Sequence, residues 1–266
     1  MPKPFDRTFR LLDQILVWIF QPICHGCGRL TDSPFCPDCS LERIFPLIQG
    51  PLCGRCGDSL TLSMERCGAC LALKSHPILA IRSLFWLGEL TRGWLHRVKY
   101  EGRFELLRLV RQRFEENFHL SVPQGAAIVP VPLHPSRLRE RGFNQAEILA
   151  EWIRDVSGLS LVDGLKKTRS SLPQSTLSRS QRETNLRRHF IWNSSQTVPR
   201  VVLLVDDVLT TGTTLNACAR ALRRAGCDEV YAWTLFRTQR LGGGAQRTAP
   251  QGPGPQVKAI QPIIPQ

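Results

Sequence analysis

The chain has 266 residues, enough for one full α/β core plus a small additional module. Its 35 basic residues outnumber 22 acidic ones, a net charge of +13 that favours polyanionic partners, with a generally basic soluble surface as the competing reading. No run is long and apolar enough to span a bilayer and no secretory leader is recognisable, so a cytoplasmic protein without a membrane span is expected.

In residues 1–22, Phe5, Phe9, Leu12, Ile15, Leu16 and Ile19 fall near one face of a helix, which predicts an amphipathic N-terminal helix docked on the protein. Eight of the ten cysteines then occur as four C-x-x-C pairs: Cys24/Cys27, Cys36/Cys39, Cys53/Cys56 and Cys67/Cys70. In a reducing compartment this spacing reads as metal ligation rather than disulfides. Four thiolates fill a zinc shell and leave no open position, so structural Zn²⁺ in one or two sites is expected. Sequential pairing needs only short loops and is favoured, with a cross-braced arrangement left open. Iron–sulfur clusters usually show other spacings. Residues 23–76 are thus predicted as a zinc-binding module resembling a double zinc ribbon. His25, His76, His96, His119 and His189 are read as exposed.

A main domain is expected over residues 77–240. Residues 80–87 read as a strand, and Leu90, Trp94, Leu95 and Val98 mark a helical face. Lys99–Gly102 form a turn before a helix over about 104–118. Ala126–Leu133 is the next buried strand. A basic turn follows, with Arg137, Arg139 and Arg141, and a helix begins near Asn144. Ligands of open α/β sheets bind outside the carboxyl ends of strands, where an arginine cluster suits a phosphate group. The segment 164–189 is long, irregular and basic, with Lys166, Lys167, Arg169, Arg179, Arg182, Arg187 and Arg188 against Glu183 alone. Such a loop is usually functional or disordered. Phe190–Trp192 read as a strand edge. From residue 241 the chain turns Gly-, Gln- and Pro-rich, and 241–266 is predicted as a disordered tail.

The stretch VVLLVDDVLTTGTTLNACARALRR, Val201–Arg224, carries the most chemistry. Five apolar residues suit a strand of a parallel sheet, buried on both faces. Asp206 and Asp207 follow in what reads as an acidic turn. Thr210, Thr211, Gly212, Thr213 and Thr214 make a loop, and Leu215, Cys218, Ala219 and Leu222 set a helical period. A loop between a strand's carboxyl end and a helix N-terminus is an anion site. It lacks the lysine of a P-loop, and no G-x-G-x-x-G occurs in the chain. Paired carboxylates beside a phosphate cradle make sense when the ligand also offers a diol or brings a cation. A sugar phosphate does both.

That motif closely resembles the phosphoribosyl pyrophosphate (PRPP) motif of type I phosphoribosyltransferases. With the cysteine pairs, the KYEG turn, VPVPLHPSRLRERGFNQAE and TRSSLPQSTLSRSQRETNLRRHF, the order is similar to that of the ComF family, which includes GntX-type proteins and is linked to competence and DNA uptake in bacteria. The resemblance spans roughly residues 20–238. It implies a type I phosphoribosyltransferase-like α/β fold, a parallel sheet with flanking helices, plus an N-terminal four-cysteine zinc module. It also implies that Asp206 and Asp207 hold the ribose hydroxyls in catalysis, that Thr210–Thr214 hold the 5-phosphate, and that Arg137, Arg139 and Arg141 meet the pyrophosphate, with Mg²⁺ accompanying PRPP. Two functions follow from it. One is a magnesium-dependent transferase passing phosphoribosyl to an acceptor in DNA uptake or nucleotide metabolism. The other is a non-catalytic PRPP sensor that binds single-stranded DNA, with Trp94, Tyr100 and Phe143 for stacking, beside DNA-uptake or recombination proteins.

Overall fold

A computed structural model of the protein describes residues 23–33, 35–60, 64–73, 75–103, 106–168 and 189–239. The expected N-terminal helix, most of the basic segment 164–189 and the C-terminal tail lie outside the described residues. The chain divides into two compact units: one takes the chain up to Pro46 with Gly88–Val110, the other Leu47–Leu87 with the chain from Arg111 onward.

In the first unit a short helix, α1 (Leu41–Ile44), packs on the longer α3 (Glu89–Tyr100). Ser40 caps α1 by accepting the Arg43 N–H. Phe45 and Trp94 meet edge to face, their ring centroids 5.0 Å apart, and both are buried. The Thr91 hydroxyl donates to the Ile44 carbonyl. Trp94 is therefore core, in line with its place on the helical face with Val98, and is not available as the stacking platform that the single-stranded-DNA reading drew on; Tyr100 is exposed.

The second unit contains the helical turn α2 (Gly68–Leu71) and is built on a five-stranded parallel sheet. Its strands are β1 (Ile81–Trp86), β2 (Ala127–Pro130), β3 (Ser160–Leu161), β6 (Val201–Leu209) and β7 (Glu229–Arg237), in the order β1-β7-β6-β2-β3. Two further strands, β4 (Leu165–Lys167) and β5 (Phe190–Trp192), form a separate antiparallel pair. The helix α4 (Leu106–Asn117) precedes β2, α5 (Pro135–Arg141) and α6 (Gln145–Ser157) follow it, and α7 (Thr213–Arg224) links β6 to β7.

Alternate residues of the strands feed two layers, as the two-residue period requires. On one face Val202, Leu204, Val230 and Ala232 join Leu215, Cys218 and Leu222 of α7 and Phe190 of β5 in a buried cluster. On the other face Trp233 meets Phe114 at 5.5 Å and Phe118 at 5.4 Å, and Phe114 meets Trp152 of α6 at 5.7 Å. Covering both faces with helices explains why β6 begins as an unbroken apolar run.

Candidate functional site

β6 does not stop at Val205. The strand continues through Asp206 and Asp207 to Leu209, pairing with β7 along its length, so the two acids belong to the strand's carboxyl-terminal end and not to a turn. Ladder hydrogen bonds with β7 outweighed the polarity of the side chains, which are only half-buried there. The Asp206 carboxylate accepts the Asp207 backbone N–H at 2.9 Å. Thr210 and Thr211 follow, and Gly212 takes φ 76° as N-cap of α7, a left-handed conformation that an L side chain resists. Thr211 and Thr213 hydroxyls lie 2.7 Å apart, and the Thr213 N–H points to Thr211 Oγ1 at 3.4 Å. The result is a hydroxyl-rich loop on the positive end of a 12-residue helix.

The basic stretch after β2 is a helix rather than a turn. Pro135 presets its first φ, His134 Nδ1 accepts the Ser136 N–H at 3.2 Å, and Gly142 ends it with φ 79°. Arg137 and Arg139 are exposed and Arg141 is half-buried. Asn144, buried, caps α6 through the Ala146 N–H and donates to the Val131 carbonyl at 3.1 Å, which ties α6 to the end of β2.

One residue gains a sharper place than the sequence gave it. Lys167, the last residue of β4, sets its ammonium 5.5 Å from the Phe190 ring centre. Burial lowers its pKa below the ordinary lysine value, the Asp206 charge counteracts this, and Arg137 adds to the lowering. Asp206, Lys167 and Arg137 thus share one electrostatic neighbourhood. In sequence Lys167 was one of seven cations of a basic segment; only its pairing with Phe190 singles it out. Cys218 of α7 is fully buried, its thiol pushed up by burial and by the Asp206 charge. His189, expected to be exposed, is 9% exposed, and its carbonyl accepts the Thr168 N–H at 2.9 Å.

The cysteines gather as two groups in sequence order, Cys24/Cys27/Cys36/Cys39 and Cys53/Cys56/Cys67/Cys70, each with its sulfurs within 4.8 Å of one another. A tetrahedral zinc with Zn–S bonds of about 2.3 Å sets its sulfurs ~3.8 Å apart. Cys27 and Cys36 Sγ lie 3.8 Å apart, and Cys56 and Cys67 Sγ 3.7 Å. Both groups therefore fit a four-coordinate structural zinc. The first belongs to the first unit and the second to the sheet unit. Among the described residues no helix is long and apolar enough to cross a membrane.

Known proteins agree with this architecture. Residues 141–251 match the phosphoribosyl transferase domain family. Competence protein F of Haemophilus influenzae is 31% identical over 230 residues, covering 80% of this chain and 95% of that protein. Competence protein ComFC of Streptococcus pneumoniae is 31% identical over 210 residues, covering 79% and 90%. DNA utilization protein YhgH of Escherichia coli is 32% identical over 227 residues, covering 81% and 90%. Likeness at this level over nearly the whole of each relative reaches well beyond the sugar-phosphate motif, and the chain belongs to the competence protein F (ComF) family.

Proposed function

We propose that the β6–α7 junction binds PRPP. The observation that carries this reading is the adjacency of two carboxylates at a strand end to a threonine–glycine loop on a helix N-terminus, with the charges of Asp206 and Arg137 both felt at Lys167. The loop's N–H groups and hydroxyls take the 5-phosphate. Asp206 and Asp207 accept the ribose hydroxyls. Arg137, Arg139, Arg141 and Lys167 face the pyrophosphate. Mg²⁺, a hard cation that prefers carboxylate and phosphate oxygens, neutralises pyrophosphate charge when bound.

In this reading the chain is a phosphoribosyltransferase-like protein of the cytoplasm acting in DNA uptake, in keeping with the names of its relatives. Transfer breaks the bond between the anomeric carbon and pyrophosphate, and a new bond forms to the acceptor's nucleophile. The cations stabilise charge on the departing pyrophosphate, and the acceptor supplies its own nucleophile. The net charge of +13 favours a second reading, a PRPP sensor that binds single-stranded DNA without turnover.

Isothermal calorimetry with PRPP and Mg²⁺ tests the site. Asp206→Asn with Asp207→Asn is expected to weaken binding by at least about 100-fold, since hydrogen bonds to charged groups contribute ~1.5–3 kcal/mol each. Unchanged affinity would sink the assignment. Lys167→Met is expected to weaken inorganic pyrophosphate by about tenfold while leaving ribose 5-phosphate nearly unchanged. Pyrophosphate release during an acceptor screen separates the transferase from the sensor.

A further inference from the structure

The second cysteine group is ringed by three arginines that donate to the backbone of its own ligand loops. Arg55, inside the third C-x-x-C pair, donates to the Cys70 carbonyl at 3.3 Å. Arg82, on β1, donates to the carbonyls of Gly54 at 3.1 Å, Cys53 at 3.5 Å and Ile81 at 2.8 Å. Arg237, the last residue of β7 and 1% exposed, donates to the Cys56 carbonyl at 2.7 Å. It also faces the Asp58 carboxylate at 3.6 Å.

The charges close. A zinc ion with four thiolates carries −2. Asp58 adds −1, and Arg55, Arg82 and Arg237 supply +3, so the unit is neutral as a whole. Neutrality matters because Arg237 has almost no water to shield it, and a buried charge without its partner is costly. Without the metal–thiolate charge, the three guanidiniums would be balanced by Asp58 alone, which Arg237 faces.

Arg237 also reaches the other side of the sheet unit's chemistry. It pairs in register with Leu209 of β6, and Leu209 directly precedes the Thr210–Thr214 loop. The next residue, Thr238, donates its N–H to the Leu209 carbonyl at 2.9 Å. We propose that Arg237 is a positioning residue that couples metal in the Cys53/Cys56/Cys67/Cys70 group to the Thr210–Thr214 loop. Bound metal fixes Arg237, Arg237 fixes the end of β7, and β7 holds the residue from which the loop springs. The coupling concerns metal and loop alone. It stands or falls separately from the PRPP reading, because its test uses no PRPP.

The test is hydrogen–deuterium exchange on the full-length zinc-loaded protein, before and after chelation, with zinc release followed by a colorimetric chelator. Chelation is expected to raise exchange in peptides covering residues 209–214 by about tenfold while core amides of β2 and β6 remain far slower than the loop, as local opening below global unfolding allows. With zinc present, Arg237→Met is expected to reproduce that rise and to release the second group's zinc about tenfold faster, since it leaves the metal–thiolate charge unbalanced. Arg237→Lys, which keeps the charge and loses the fork, is expected to fall between and also serves if Arg237→Met does not fold. Arg97→Met, beside the first group, is expected to leave the loop's exchange unchanged. Three results overturn the proposal: zinc release from Arg237→Met and Arg237→Lys at the wild-type rate, loop exchange indifferent to chelation, or loop amides that exchange only as slowly as the core of β2 and β6, through global unfolding alone.

Discussion

The two cysteine groups share a ligand set and differ in what surrounds it. In the first group the neighbouring charges stand in water. Arg29 donates Nε to Cys27 Sγ at 3.2 Å and pairs with Asp38, but the two side chains are 63% and 64% exposed. In the second group Asp58 is 17% exposed and Arg237 is 1% exposed, held by a carbonyl 181 positions away in the chain. Solvent screens the first arrangement, and its exclusion strengthens the second. The thiolates themselves are buried alike, three of four in each group, so the same ligand chemistry is ringed by exposed charges in one place and by buried ones in the other.

Removing the ligands should show the largest difference. Cys56→Ser with Cys70→Ser is expected to destabilise the sheet unit by at least ~5 kcal/mol, because structural zinc supplies folding energy outright. Cys27→Ser with Cys36→Ser is expected to cost less and to leave the sheet unit's melting intact. Thermal unfolding with zinc stoichiometry measures both, and equal losses break the contrast.

The arginines come next. Arg237→Met is expected to cost ~3–5 kcal/mol by stranding buried charge. Arg29→Met is expected to leave the melting temperature unchanged. A denaturant series on each variant decides it.

Equivalent glycines sharpen the comparison at smaller scale. Gly28 follows Cys27 and Gly57 follows Cys56, with φ 79° and 68°. A Cβ on Gly28 meets only the end of Arg97 at 3.8 Å, whereas on Gly57 it comes within 2.6 Å of the Ile81 carbonyl oxygen. Gly28→Ala should therefore cost ~1 kcal/mol for the left-handed backbone alone. Gly57→Ala should cost roughly twice that or more, because backbone must also shift.

Much of this was legible in the sequence. The four C-x-x-C pairs announced two thiolate groups, and the apolar run followed by DDVLTTGTT announced a strand, a loop and a helix. These signals are local, and local spacing carries them. What the sequence left out depends on tertiary placement. Asp206 and Asp207 read as a turn because acids seldom continue a strand, yet pairing with β7 kept them in the ladder. Trp94 had two readings, an apolar helical face and a stacking platform near basic residues, and contact with Phe45 in the core decides for the first. The Arg137–Arg141 cluster read as a turn because its caps, His134 and Gly142, are weak signals singly and decisive together. Arg237 gave no signal at all: nothing near it in the chain foretells a bond to Cys56.

The smallest effect separates thiolate character from access. Arg29 pulls Cys27 down to about 6. Cys53 also falls to about 6, where burial opposes the shift and N–H groups of Cys56, Cys67 and Arg55 overcome it. Both cysteines then hold their thiolate form above about pH 6, whereas an ordinary cysteine gains it only near pH ~8.5. Their exposure differs: Cys27 is half-buried and Cys53 is 0% exposed. In reduced, metal-free protein, iodoacetamide labelling read by mass spectrometry should level off for Cys27 by about pH 7 and run at least about tenfold faster than for Cys53, since thiolate reactivity also requires access. Arg29→Met should move the Cys27 profile upward in pH, because the charged form loses its partner, and leave Cys53 untouched. Equal rates at Cys27 and Cys53 would mean that Cys53 opens to solvent as readily as Cys27, and the separation of thiolate character from access would fail.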